Sequence, residues 1–239
     1  MLQALRVDPQ LDLDCDHASA ELEGASPERC VEWAYARFGD DLIVSSSFGA
    51  ESALMLHLVA RVAPKLRVVF VDTGYLFPET YRFAEQLKQR FNLDLRVYGP
   101  AMTPARQEAL FGRLWEGTER DVARYQRINK VEPMDRALRE LGARAWLAGL
   151  RRQQTAFRST LRPVELQNGV FKIHPILSFT RQDVQRYMAA HDLPYHPLLA
   201  QGYRSIGDVH STRPVREGED ERSGRALGAH RECGLHLPR

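Results

Sequence analysis

Cysteine is scarce in this chain: Cys15, Cys30 and Cys233 are the only three in 239 residues. An odd, widely spread set builds no disulfide framework and fits a reducing compartment. With neither a CC pair nor a CxxC spacing, it also offers no iron–sulfur or structural zinc site. No sign of charge prevails: 33 Lys+Arg against 31 Asp+Glu leave a formal net charge of +2, which gives no global reason to expect nucleic-acid binding. No run approaches the ~20 apolar residues of a membrane span. The opening MLQALRVDPQLDLDCDHAS turns acidic after Arg6 and lacks the apolar core of a secretory signal. With 44% hydrophobic and 27% charged residues, the composition is that of a soluble, cytoplasmic domain whose function must lie in local sites.

Short apolar runs alternate with helical periodicity. Ser26-Pro27 reads as an N-cap with proline at the first helical position, opening a helix over Glu28–Phe38 that Gly39-Asp40 stops. Asp41–Ser47 (DLIVSSS) reads as a buried strand, and Glu51–Val62 as a helix with Leu54, Leu58 and Val62 on one face. The pattern continues with strand Arg67–Asp72, helix Pro78–Phe91 and strand Leu93–Gly99. Helix Val131–Leu141, strands Arg144–Leu150 and Val170–Ile176, and helix Thr180–Ala190 follow, the last with Thr180 and Asp183 at capping-box spacing. Strands joined by helices imply an α/β fold with a doubly wound parallel sheet, whose ligands sit at the carboxyl ends of the strands. The expected division is a loosely attached N-terminal arm over 1–25 with about one helical turn, an α/β nucleotide-binding domain over 26–201, and a polar C-terminal segment over 202–239 that is either disordered or a functional flap.

Four stretches could carry chemistry. SSSFGAES, Ser45–Ser52, joins a strand to a helix N-terminus, where small hydroxyl side chains and Gly49 let the backbone approach an anion. It lacks the GKS/T ending of a Walker A loop, and an ordinary strand–helix turn is the other reading. VDTGYLFPETY, Val71–Tyr81, puts Asp72 and Thr73 at the same sheet edge, unless they merely start the next helix. In GLRRQQTAFR, the arginines Arg151, Arg152 and Arg158 follow Gly149 and suit phosphate or sulfate oxygens; a solvated charged face is the alternative. Cys233 lies in the polar HRECGLH, where His230, Arg231 and His236 would favour its thiolate. An inert buried thiol is the competing reading there, as it is for Cys15 and Cys30. His174, His191, His196 and His210 are scattered and read as structural.

Taken in order, SSSFGAES, VDTGYLFPETY, NKVEPMDRAL, GLRRQQTAFRS, YHPL, GYRSIGDVHST and RECGLH resemble the assimilatory phosphoadenylyl-sulfate (PAPS) reductases over Ser45–His236. The resemblance implies an adenine nucleotide α-hydrolase-like fold with a mobile C-terminal catalytic segment and no cofactor. It implies reduction of PAPS to sulfite and adenosine 3′,5′-bisphosphate in sulfate assimilation, with thioredoxin or glutaredoxin as electron donor and a homodimer as the usual assembly. It further implies that Cys233 is the nucleophile, forming a cysteine S-sulfonate, with Lys130 of the KVEP motif, Arg222, Arg225 and His236 around the reaction. Ser45, Ser47, Gly49, Glu51 and Ser52 would hold the phosphosulfate side. Val71, Asp72, Thr73 and Gly149 would meet the nucleoside, and Arg151, Arg152 and above all Arg158 its anionic groups.

Sister enzymes that reduce adenylyl sulfate (APS) carry a [4Fe-4S] cluster on a CC pair and a later CxxC. The matching stretches here, Tyr125–Lys130 and Ile206–His210, contain no cysteine. That favours PAPS and leaves cluster-free APS reduction as the alternative. Relatives that adenylate with ATP have an SGGxDS loop and lack the terminal ECGLH, so ATP-dependent adenylation ranks lower, as does a nucleotide-binding redox sensor.

Overall fold

Residues 13–225 and 234–235 are described by the structure, a computed structural model. Among the described residues, six strands form one sheet: β1 (Leu42–Ser45), β2 (Arg67–Val71), β3 (Asp94–Tyr98), β4 (Ala145–Ala148), β5 (Val164–Gln167) and β6 (Val170–Ile173). Their order is β3-β2-β1-β4-β6-β5. Neighbours run parallel, with Val44 opposite Val68 and Leu147, except that β5 is antiparallel to β6. Around the sheet lie α1 (Cys15–Leu22), α2 (Pro27–Phe38), α3 (Ser52–Val62), α4 (Pro78–Phe91), α5 (Pro104–Phe111), α6 (Glu119–Gln126), α7 (Glu132–Glu140), the single turn α8 (Ala156–Ser159) and α9 (Arg181–Ala190). Among the described residues, no helix is long and apolar enough to cross a membrane.

Period-two alternation sends the strand side chains to two separate cores. Leu42 and Val44, Val68 and Phe70, and Ala145 and Leu147 pack with Val31 of α2, Leu54 and Leu58 of α3, Leu87 of α4 and Met188 of α9. Their neighbours Ile43, Val69, Trp146 and Ala148 face the other way, onto Met134, Ala137 and Leu138 of α7. Each fully buried Leu, Ile, Val or Phe contributes about 1.5–3 kcal/mol, so these two apolar layers hold the doubly wound sheet. Local chemistry sets the helix ends. Ser26 Oγ accepts the Arg29 N–H ahead of Pro27, and Thr180 and Asp183 form the reciprocal capping box that starts α9.

Three features depart from the sequence-based expectations. The N-terminal arm holds two turns of helix rather than one: Asp14 caps α1, Ala18 and Leu22 join the core, and Ser19 Oγ donates to the Val164 carbonyl. Strand β5 was not expected; it pairs with β6 through Asn168-Gly169, both at positive φ, the geometry an Asn-Gly hairpin turn requires. Between β3 and α7, where no element was expected, stand α5, α6 and a five-residue π-helical stretch, Arg127–Val131, which makes residues 119–140 one continuous helical rod. Pro133 explains the wide turn. Its ring cannot coexist with a normal α-helical carbonyl four residues back, and the extra residue in the turn relieves the clash.

Candidate active site at the carboxyl edge of the sheet

The chain winds from β1 outward through β2 to β3, then returns to β4 on the other side of β1. This reversal opens a crevice at the carboxyl ends of the strands. A cavity of about 270 Å³ lies there, lined by Ser45 at the end of β1, Val69 and Val71 of β2, and Ala148 and Gly149 at the end of β4. The β1–α3 loop forms one wall with Ser46, Ser47, Gly49, Ala50, Glu51 and Ser52. Its bend is made by Phe48, a non-glycine residue at φ 49°, held in that left-handed conformation by full burial against Phe70. Ser46 Oγ accepts the Phe48 N–H, and Ser45 Oγ accepts the indole N–H of Trp146 at 2.7 Å.

Residues 202–225 fold back over this edge. Leu76 and Asp208 pair as an isolated bridge, as do Thr212 and Arg225. A side chain at Gly224 would collide with the Arg213 carbonyl, so glycine is required for that close crossing. Ile206, Asp208 and Arg222 are buried, and Arg225 Nη1 donates to the Ile206 carbonyl at 2.9 Å. Among the described residues, six cationic side chains line the cavity, Lys130, Arg151, Arg158, Arg204, Arg222 and Arg225, with three carboxylates, Glu51, Asp208 and Glu221. Lys130 Nζ lies 2.5 Å from Asp208, and Arg151 lies 2.8 Å from Glu51 and 3.8 Å from Glu221, which also meets Arg181 at 3.0 Å. Burial opposes ionisation of Asp208, yet Lys130 and the Thr73 hydroxyl, which donates to it at 2.7 Å, hold its pKa below the usual carboxylate range. Burial raises the pKa of Glu51, against the pull of Arg151. The excess of fixed cations suits a small ligand carrying several negative charges.

A family model of the phosphoadenosine phosphosulfate reductase domain matches residues 41–214, which span the sheet, the serine loop and the start of the returning segment. The chain belongs to the phosphoadenosine phosphosulfate reductase family. This is an oxidoreductase family. The chain is 52% identical over 237 residues to the phosphoadenosine 5′-phosphosulfate reductase of Alkalilimnicola ehrlichii, covering 98% of this chain and 97% of that one. It is 52% identical over 221 residues to the Synechococcus protein of the same name, covering 92% and 95%. Among solved structures it resembles the PAPS reductase of Candida auris in a phosphate complex, with a TM-score of 0.74 and 29% identity over 88% of this chain and all (100%) of that one. Candida glabrata FMN adenylyltransferase in complex with ATP shares the fold alone, with a TM-score of 0.60 and 16% identity over 88% and 71%.

The expected site residues of this reductase-family chain separate into three groups. Ser45, Ser47, Gly49, Glu51, Ser52, Val71, Thr73, Lys130, Gly149, Arg151, Arg158, Arg222 and Arg225 all line the one cavity. Two stand apart from its lining. Arg152 opens a 3-10 turn and reaches outward to the C-cap of α1, where both guanidinium ends meet Glu23 at 2.7 and 2.8 Å. Asp72 accepts from the Gly74 N–H and the Tyr81 hydroxyl, closing the β2–α4 turn. Cys233 and His236 lie outside the described residues. Asp208, Glu221 and Arg204 were not singled out from sequence. Arg204 and Asp208 lie within the GYRSIGDVHST motif and Glu221 in no motif, and each enters the cavity only through the back-folding of 202–225. Cys30 is buried and burial pushes its thiol pKa up to about 11, while burial also raises that of Cys15.

Proposed function

We propose that this chain reduces PAPS to sulfite and adenosine 3′,5′-bisphosphate, using the Cys233 thiolate as nucleophile and a thioredoxin or glutaredoxin dithiol as electron donor, in sulfate assimilation. The observation that carries the proposal is the cavity at the sheet's reversal point, with six cations among the described residues and the serine loop on its walls, in a chain that carries the RECGLH motif. Residues 26–201 act as the nucleotide-binding unit and 202–239 as the flap that brings the cysteine. A homodimer in the cytoplasm completes the reading.

The chemistry follows from charge. Thiolate, sulfonate and phosphates must meet, so the barrier is largely mutual repulsion, and cations already in place lower it without reorganising. Lys130, Arg222 and Arg225 serve the reacting end, Arg151 and Arg158 the remaining anionic groups, and the Ser45–Ser52 loop the phosphosulfate. The Cys233 sulfur attacks the sulfonyl sulfur; an S–S bond forms, the S–O bond breaks, and its electron pair leaves on the nucleotide phosphate. A dithiol thiolate then attacks Cys233 Sγ and expels sulfite. The second thiol resolves the mixed disulfide and restores Cys233, so the two electrons come from the dithiol.

Incubation with PAPS and no thiol tests this. The peptide bearing Cys233 should gain one sulfonate in at most stoichiometric amount, and reduced thioredoxin should release it as sulfite. Cys233→Ser should form no adduct while binding adenosine 3′,5′-bisphosphate normally. Catalytic sulfite without thiol, or an adduct on Cys15 or Cys30, would overturn the proposal, and faster adduct formation with APS than with PAPS would reassign the substrate.

A further inference from the structure

The two residues that follow Cys233 are seated by a pair of glutamine side chains. The Gly234 N–H donates to Gln126 Oε1 at 2.9 Å, and Gln167 Nε2 donates to the Leu235 carbonyl at 3.4 Å. Leu235 packs against the core on the α7 side of the sheet and reaches the cavity wall. Gln126 stands at the end of α6, just before the π-helical stretch, and Gln167 at the end of edge strand β5. The seat is tight: a Cβ on Gly234 would come within 3.0 Å of Val131 Cγ2 and 3.4 Å of Gln126 Oε1.

The amide orientations are set by partners that can act in one sense only. A backbone N–H is a donor, so Gln126 must present its oxygen to Gly234. An ammonium has donors and no acceptor, so Lys172, whose Nζ lies 3.0 Å from Gln167 Oε1, turns the NH₂ of Gln167 toward Leu235. Lys172 is only 2% exposed, and its ammonium sits 4.6 Å from the centre of the Trp146 ring, whose N–H donates to Ser45. One chain of contacts therefore runs from the serine loop through Trp146, Lys172 and Gln167 to the C-terminal segment.

We infer that Gln126 and Gln167 are positioning residues that dock the C-terminal segment through the backbone of Gly234 and Leu235, so that Cys233 is presented at the cavity; the catalytic consequence rests on the role proposed for Cys233. The two glutamines do opposite jobs, one accepting and one donating. The same substitution should therefore have opposite effects. Q126L removes the acceptor, whereas Q126E keeps one. Q167E still accepts from Lys172 but sets a carboxylate oxygen against the Leu235 carbonyl.

Two readouts decide it. Q126L and Q167E should each slow single-turnover formation of the Cys233 S-sulfonate by about tenfold, the scale of one lost hydrogen bond with its partner left unpaired. Q126E should recover most of the Q126L loss. Adenosine 3′,5′-bisphosphate affinity should stay within about twofold throughout, since neither glutamine lines the cavity. Docking is read separately by the rate of trypsin cleavage after Arg231, which should rise in Q126L and Q167E but not in Q126E. Equal behaviour of the two Gln→Glu variants, or cleavage rates unchanged in all three, would overturn the inference. A wild-type protein that forms no adduct yet shows the cleavage pattern would remove the proposed chemistry and leave the docking role standing.

Discussion

Replacing Asp208 by asparagine separates the shape of this side chain from its charge. Asp208 is fully buried, at 0% exposure, and Lys130 is 7% exposed, with 2.5 Å between carboxylate and ammonium. Asparagine keeps the size and can still accept from Thr73, but leaves the ammonium without its counter-charge. Breaking a buried pair from one side costs about 3–5 kcal/mol. Lys130 borders a cavity, where water can partly solvate it, so the lower end applies, about 3 kcal/mol. For a chain of this size each kcal/mol moves the midpoint by about 2–4 °C, so Tm should fall by roughly 6–12 °C. D208N combined with Lys130→Met removes both charges and should lose clearly less than the two single variants added together. The pH dependence has a definite sign. Because the folded-state pKa of Asp208 is lowered, its contribution is present above the unfolded carboxylate range and is lost as pH falls through the folded value. The wild-type advantage should therefore close in acid. Thermal melts from neutral to acid pH check all of this; a D208N midpoint within about 1 °C of wild type at neutral pH would refute the reasoning.

Adjacent arginines should differ sharply. Arg151→Ala should weaken adenosine 3′,5′-bisphosphate binding by roughly 10–100-fold, the range for a charge-assisted hydrogen bond, while Arg152→Ala should leave it within about twofold because Arg152 is occupied by Glu23; calorimetric titration of both variants distinguishes them. Burial lowers the pKa values of His196 and His210 to about 4 from the ordinary 6.5. Their neutral forms thus support the fold above about pH 6.5, and stability should decline as pH falls from there toward 4. His210→Phe, which keeps the stack on Trp115 (ring centroids 4.1 Å apart), should flatten that decline in urea titrations, and an unchanged slope would contradict it.

What could be read in advance was whatever depends on neighbours in sequence. Pro78–Phe91 was read to both ends because Pro78 starts the helix and Asn92, in a left-handed conformation, ends it. The apolar runs at β1, β2 and β4 declared themselves because strands covered on both faces carry few polar residues. Helix α6 did not: ERDVARYQ buries only Tyr125 and shows no apolar stripe. Strand β5 is too short to be seen, since VELQ offers only four alternating residues, though the Asn-Gly that follows is a hairpin signal that could have found it. The site followed the same division. Loops anchored to strand ends converged where a doubly wound sheet requires, Glu51 meeting Arg151 among them, whereas Asp208 beside Lys130 and Glu221 beside Arg151 come from a segment far along the chain, which no spacing rule reaches.

The π-helical stretch Arg127–Val131 has a consequence for how this part of the molecule tolerates change. A straight α-helix advances about 100° per residue, so its faces stay in fixed phase from end to end. Here the phase slips once. Before the slip, α6 turns Tyr125 inward; within it, Asn129 and Lys130 are buried; after it, α7 lays Met134, Ala137 and Leu138 on the sheet. Deleting one residue between 127 and 131 would restore a regular spiral and force a choice: keep the α7 face on the sheet and rotate Tyr125 away, or keep Tyr125 and lift α7 off. Substitutions in this stretch alter one side chain at a time, but a change in its length would put the ammonium and the sheet-packing face out of step.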